Sequence, residues 1–279
     1  MKIISYNIRT FGSGKESKFG SIKKFIAVEK PSFFALQETK LKLVDKSWIE
    51  SLLGSTSCEF IQQEKIGKSS GQLLIWDTNL FDASDVIRID RVIGVRGVWK
   101  NNYTVINTLN VYGPHDDNGK SKLWDSLSSI IGNSDEAWAL CGDFNEVRKD
   151  DERLNFVFIE SRAKRFNDFI NSNSLSDIPM GGRCFTHVSE DGLKFSKIDR
   201  FLVSDKFMAL WNNLSAVIMD RSDSDHCPIS LFDEVKKFGP KPIKVFDSWL
   251  DDPEAENIIS SSWANPPLFL QAHVKTGSF

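Results

Sequence analysis

The sequence predicts a mixed α/β protein, and three observations carry that prediction. Short β-like runs recur along the chain, many of them bounded by turn residues. Apolar stripes at helical spacing fall between some of these runs. From residue 72 to residue 112 the strand-like runs follow one another with no helical pattern between them, which calls for antiparallel hairpins within the mixed fold.

In chain order, the strand-like runs are 3–8 (IISYNI), 33–37 (FFALQ), 73–76 (LLIW), 86–89 (VIRI), 103–112 (YTVINTLNVY), 137–141 (AWALC), 198–203 (IDRFLV) and 229–232 (ISLF). The first helical stripe is Phe19, Ile22, Phe25 and Ile26, and the second is Trp48, Leu52 and Leu53. Leu123, Leu127, Ile130 and Ile131 make a third, and Phe166, Phe169 and Ile170 a fourth; all four are read as core faces, not ligand surfaces. The pattern breaks near Val235, where KKFGPKPIK brings a glycine and two prolines. Residues 1–235 are therefore expected to form one domain, and 236–279 a linker-like tail. Prolines 253, 266 and 267 interrupt any continuous element there, so the tail is expected to be poorly ordered.

A chain of 279 residues with 41% hydrophobic content can bury a real core, and a formal charge of -3 excludes a broadly basic nucleic-acid coat while leaving room for a local basic groove. Cys58, Cys141, Cys184 and Cys227 lie far apart without a CxxC spacing, so neither a zinc site nor a disulfide framework is indicated, and a reducing intracellular compartment fits. No run approaches ~18 apolar residues and the N-terminus lacks a cleavage-site pattern, so neither membrane insertion nor secretion is expected.

The polar residues collect at strand ends. In WALCGDFNEV an apolar run meets Gly-Asp-Phe-Asn; if the strand continued, Asp143 and Asn145 would project together while Phe144 turned to the core. The alternative is a loop in which the two merely cap a turn. Asn7 ends the first run, Glu38 follows the second, Tyr112 ends INTLNVY, Asp199 sits in KIDRFLV, and Asp225 stands beside His226 in SDSDHCPI. Each has a plainer reading: Glu38 as a first-turn helix acid, Asp199 as a partner of Arg200 or another arginine, His226 as a structural histidine.

NIR at Asn7, QET at Glu38, VYGP at Tyr112, GDFN at Asp143, SKIDRFLVS at Asp199 and SDHCPI at His226 occur in the order found in the endonuclease/exonuclease/phosphatase superfamily. Within it, the chain resembles the endonuclease domain of plant non-LTR retrotransposons of the LINE type. The resemblance implies a four-layer α/β sandwich of two packed mixed sheets. It also implies Glu38 as the principal Mg²⁺ ligand, Mn²⁺ being an alternative ion, with Asn7 close by. His226 would sit on the scissile phosphate, oriented by Asp225, while Asp143 orients or deprotonates water and Asn145 donates to a phosphoryl oxygen. Tyr112 would lie on the phosphate or leaving-group side, Asp199 would complete the hydrogen bonding around the site, and Thr186 would support it. The stretch after Arg9 and the residue His115 depart from the family pattern.

DNA contacts are expected from Arg148, Lys149, Arg153, Arg162, Lys164 and Arg165; the competing reading is a solvated face, because Asp150, Asp151, Glu152 and Glu160 are interspersed. Three functions compete. The first is a Mg²⁺-dependent endonuclease that nicks DNA, nuclear if it acts on chromosomal DNA, with no obligate protein partner evident. The second is a phosphoesterase for a small substrate such as an inositol phosphate or sphingomyelin, and the third a retrotransposon-derived fragment that binds nucleic acid without catalysis.

Overall fold

The apolar runs are continuous because their strands are covered on both faces. A computed structural model describes residues 1–11, 15–64, 71–132, 135–211, 213–234, 254, 260 and 261, the side chains of 15–17 excepted. The chain opens with β1 (Lys2–Asn7), α1 (Lys15–Glu29), β2 (Phe33–Gln37), α2 (Lys46–Leu53), β3 (Cys58–Gln63) and β4 (Gln72–Asp77). It continues through β5 (Phe81–Ile89), β6 (Val92–Trp99), β7 (Thr104–Tyr112), α3 (Asp117–Ile131), β8 (Ala137–Asp143), β9 (Arg153–Leu154) and α4 (Glu160–Ser172). It closes with β10 (Leu175–Asp177), β11 (Met180–Gly182), β12 (His187–Val188), β13 (Phe195–Ser196), β14 (Asp199–Ser204), α5 (Asp205–Leu210), β15 (Leu214–Ile218) and β16 (Ile229–Asp233).

One seven-stranded sheet has the order β11-β15-β16-β1-β2-β4-β3, a six-stranded sheet has β10-β14-β8-β7-β6-β5, and a small three-stranded sheet has β12-β13-β9. Both large sheets are mixed. β1 runs parallel to β2 but antiparallel to β16, and β7 runs parallel to β8 but antiparallel to β6. The two-residue period of a strand then sorts the side chains. Ile3, Phe33 and Leu74 of the first sheet meet Ile93, Ile106 and Phe201 of the second in one core. Their neighbours Ile4, Phe34 and Leu73 point the other way, to Ile22, Ile26, Ile49 and Leu52 of α1 and α2. On the far side, Leu109, Leu140 and Leu202 pack against Leu123, Leu127, Phe166 and Phe169 of α3 and α4. The result is a four-layer α/β sandwich of two packed mixed sheets, and each fully buried phenylalanine or leucine in it contributes roughly 1.5–3 kcal/mol.

Each of the runs read from sequence lies in a strand, shifted by a few residues at its ends. The antiparallel hairpins of 72–112 are β5-β6-β7, whereas β4 belongs to the other sheet, so the connection from β4 to β5 crosses between sheets. Strands β3, β6, β15 and the short β9 to β13 add to the reading. Met1–Val235 is one compact unit and Lys236–Phe279 another. The expected poor order of the tail falls almost wholly outside the described residues.

Between the sheets, polar groups interrupt the apolar packing at one end. The Asn110 side chain on β7 donates to the carbonyls of Leu36 (3.0 Å) and Leu73 (3.1 Å) in the opposite sheet, and its oxygen accepts from Gln37 Nε2 (2.6 Å). Gln37 also donates to Ser5 Oγ (3.0 Å), and Gln72 Nε2 to the Asn110 carbonyl (3.1 Å). Removing the amide strands the Gln37 donor in a buried site. Asn110→Ala is expected to cost about 2–4 kcal/mol, read as a lower urea midpoint at unchanged slope. A loss below ~1 kcal/mol would show that the tie contributes little.

Candidate active site

Pairing direction gathers the strand ends. In the parallel pairs β1/β2 and β7/β8, C-terminal ends lie side by side: Asn7 closes β1, Glu38 follows β2, and Tyr112 and Asp143 are register partners. Antiparallel partners bring their starts to the same edge, so Asp199, the first residue of β14, pairs directly with Asp143. β16 runs antiparallel to β1, which places His226, just ahead of it, beside Asn7. Gly142 permits the close approach of β7 and β8, since its φ is +144° and a Cβ there would lie 1.9 Å from the Val111 carbonyl oxygen.

Six side chains meet in this space. Asn7 Nδ2 donates to Glu38 Oε1 (3.1 Å) and Asp143 Oδ2 (3.0 Å), and the Tyr112 hydroxyl donates to Glu38 Oε1 (3.1 Å). His226 Nδ1 lies 2.8 Å from Asp199 Oδ2, while its Nε2 lies 3.8 Å from Asp143 Oδ2. Thr186 Oγ1 accepts from the backbone N–H groups of Ile198 (3.0 Å) and Asp199 (3.1 Å), fixing the start of β14. Ser224, which the sequence reading passed over, donates to the Asn7 carbonyl (2.8 Å) and accepts from the His226 N–H (3.2 Å).

Electrostatics divides the roles open to these groups. Burial alone would lower the proton affinity of His226, but the Asp199 and Asp143 carboxylates outweigh it and raise the imidazole to about 9. Burial pushes Asp143 above the ordinary carboxylate range, and Asp199 adds to the effect against the opposing pull of His226 and the N–H groups of Asn145 and Asn7. The arrangement therefore sets a cationic donor beside a carboxylate with raised proton affinity. Asp143, Asp199 and His226 also offer ligand atoms within 4.8 Å of one another, a group that could hold a metal ion.

Several sequence expectations need correction. Asp225 does not touch the imidazole: it lies 3.3 Å from Arg9 Nη1 and accepts from Ser224 Oγ (3.2 Å), because adjacent residues of an extended segment point apart. Asp199 occupies the orienting position instead. It does not pair with Arg200, whose buried guanidinium reaches Asp177 (2.6 Å) and Glu152 (3.0 Å) on the other side of β14. Glu38 is not a first-turn helix acid; it follows β2 with φ +52°. The strand does not run on to Asn145 either, whose φ is also +52°. Asp143 Oδ1 accepts from the Asn145 N–H (2.8 Å), forming a side-chain-capped turn, yet Phe144 is fully buried as expected and Asn145 remains partly open.

The basic cluster is largely engaged with acids. Arg148 lies 3.3 Å from Asp177, Arg162 and Arg165 lie 2.7 and 3.4 Å from Asp117, Lys164 lies 2.8 Å from Asp168, and Arg153 lies 3.8 Å from Glu146. Lys149 is exposed. The pairs of Arg162, Arg165 and Lys164 fit the solvated-face reading, whereas those of Arg148 and Arg153 reach buried acids.

No helix among the described residues is long and apolar enough to cross a membrane. Among solved structures, an AP endonuclease from Leishmania major matches with TM-score 0.64 at 17% identity, over 82% of this chain and 86% of that one. An AP endonuclease from Archaeoglobus fulgidus matches with TM-score 0.64 at 16% identity, over 84% and 100%. A mannosyl-6-phosphatase from Bacteroides thetaiotaomicron matches with TM-score 0.56 at 14% identity, over 83% and 98%. These likenesses are of fold. No curated protein sequence matches the chain. A model of the endonuclease/exonuclease/phosphatase family matches residues 4–226, from β1 to the site histidine itself, and the chain accordingly belongs to that family.

Proposed function

We propose that the chain is a Mg²⁺-dependent phosphodiesterase that nicks DNA, related to the endonucleases of plant LINE-type retrotransposons. The observation that carries the reading is His226 held between Asp199 and Asp143, next to Asn7 and Glu38. The preference for DNA rests on the IDRFLVS sequence resemblance and on the AP endonucleases among the fold matches. The mannosyl-6-phosphatase match keeps a small phosphoester as the second reading. Action on chromosomal DNA would make the protein nuclear, and we assign the activity to residues 1–235.

The donor chemistry fits a hard cation at Glu38 and Asn7. Glu38 presents carboxylate oxygen, which Mg²⁺ prefers, whereas Asn7 turns Nδ2 toward Glu38 while its Oδ1 accepts from the Arg9 N–H (3.0 Å), so its carboxamide would have to turn over to offer oxygen there. The trio of Asp143, Asp199 and His226 suits the cation less, since an imidazole carrying two protons cannot act as a ligand and already offsets one of the two carboxylate charges. When bound, the ion would neutralise charge on the phosphoryl oxygens and stabilise the leaving alkoxide.

The chain's own groups supply the remainder. Asp143, with raised proton affinity, takes a proton from the attacking water, and His226 donates its Nε2 proton toward a phosphoryl oxygen while Asp199 holds Nδ1. The 3.8 Å between Nε2 and Asp143 Oδ2 is too long for a hydrogen bond, so both atoms can serve the substrate. One N–H of Asn145 is taken by the Gly113 carbonyl (2.7 Å), leaving the second for phosphate. Tyr112 steadies Glu38 through its hydroxyl. Water adds to phosphorus as the bond to the 3′ oxygen breaks, leaving a 3′-hydroxyl and a 5′-phosphate.

Purified protein is expected to relax supercoiled plasmid with Mg²⁺ or Mn²⁺ and not with EDTA. Glu38→Ala and His226→Ala should each lose at least ~3 kcal/mol of transition-state stabilisation, roughly 100-fold in rate, without unfolding. Full activity in EDTA or in either variant would sink the site; hydrolysis of sugar phosphates with intact plasmid would favour the second reading, and binding without nicking an inactive fragment. A chain ending at Val235 should nick as the whole chain does; a large loss would place part of the activity in the tail.

The raised His226 also predicts how metal-free stability depends on pH. Its folded value of about 9 exceeds the ordinary 6.5, so its contribution is fully present below pH 6.5 and fades as pH rises through 9. Melting in EDTA should show this decline in the wild type and not in His226→Asn; identical profiles would remove the imidazolium from the folded state.

A further inference from the structure

Lys120 is a buried lysine in an apolar stripe. Along α3 the buried side chains are Lys120, Leu123, Trp124, Leu127 and Ile131, so a methionine or leucine at 120 would continue the pattern without placing a charge in the interior. Its ammonium instead donates to the Asn145 carbonyl (2.6 Å) and to Glu146 Oε2 (2.7 Å), and Glu146 is buried too.

The target of that contact is a turn in the left-handed conformation. Asn145 has φ +52°, a region that asparagine enters more readily than other residues with a Cβ. Its N–H is held by Asp143 Oδ1, its side-chain NH₂ by the Gly113 carbonyl, and its carbonyl by Lys120. Gly113 in turn donates to the Asp143 carbonyl (2.6 Å), and a Cβ on it would lie 2.2 Å from the Phe144 carbonyl oxygen, so the ends of β7 and β8 are already pressed together. Lys120 closes the ring from the helix side.

We infer that Lys120 is a positioning residue: through the Asn145 carbonyl it fixes the turn that aims the Asn145 carboxamide at the substrate phosphate. This rests on the phosphodiesterase reading of the site. Glu146 serves as counter-charge, and the two functions separate by mutation. Glu146→Gln keeps an oxygen partner for the ammonium, at a cost in stability for the lost counter-charge, and leaves it on the Asn145 carbonyl, whereas Lys120→Met combined with Glu146→Gln removes the clamp and leaves neither a buried ammonium nor a buried carboxylate unpaired.

Plasmid nicking should keep kcat within about twofold of wild type in Glu146→Gln and lose about 10- to 100-fold in the double variant, with KM nearly unchanged in both. Lys120→Arg, which restores a donor, should recover part of the loss. The NMR signals of the Asn145 side-chain NH₂, recorded without substrate, should stay sharp in Glu146→Gln and shift or broaden in the double variant. Equal kcat in the two variants, or an unchanged Asn145 signal, would overturn the inference. If the wild type nicks nothing, the functional reading falls and the NMR comparison alone decides the positioning.

Discussion

The site depends on two sheets held face to face, and the Asn110 carboxamide ties them together at the end where the site lies. Asn7, Glu38 and His226 come from ends of the first sheet, whereas Tyr112, Asp143 and Asp199 come from ends of the second. Apolar packing is non-directional and accommodates small slides. An amide bonded to Leu36, Leu73 and Gln37 across the gap does not, and those partners lie one or two residues from the Glu38 end of β2 or opposite it on β4. The sheets are thus locked at the end where chemistry needs them locked.

Charge within the site is unevenly matched. Asp199 has an imidazolium at 2.8 Å, and Arg200 is turned away to Glu152 and Asp177. Glu38 has Lys40 only at 3.9 Å, and it meets Asn7 and Tyr112 through neutral donors. On the proposed reading of the site, a partly buried carboxylate is stabilised more by a full charge than by dipoles, so Glu38 would gain from an added cation.

Much of this was legible in the sequence, for identifiable reasons. FFALQ and AWALC read as buried strands because both faces are covered, and GDFN and SDH mark edges where apolar runs meet polar groups. β3 is harder to see: CEFIQQ, paired on one side only, carries Glu59, Gln62 and Gln63. β6 is broken by Gly94 and Gly97, each set where a Cβ would come within 2.2 Å of a neighbour, a demand no single-strand pattern reveals. The resemblance gives the orienting role to Asp225, the neighbour of His226 in sequence; register, which only the folded sheet supplies, brings Asp199 there from 27 residues away. Asn110 had a signal, a polar residue within the apolar run NTLNVY, but its partners lie in another sheet.

β5 borders the six-stranded sheet, and among the described residues no strand pairs with its outer edge. Its middle is exposed, carries Asp82 and Asp85, and shifts register between Ala83 and Asp85. A foreign strand approaching this border would meet two negative charges and a kink where it needs a flat row of amides, so pairing between molecules is disfavoured. The border that looks like an imperfect strand is thereby a guard against fibril growth at the concentrations a folding chain must survive.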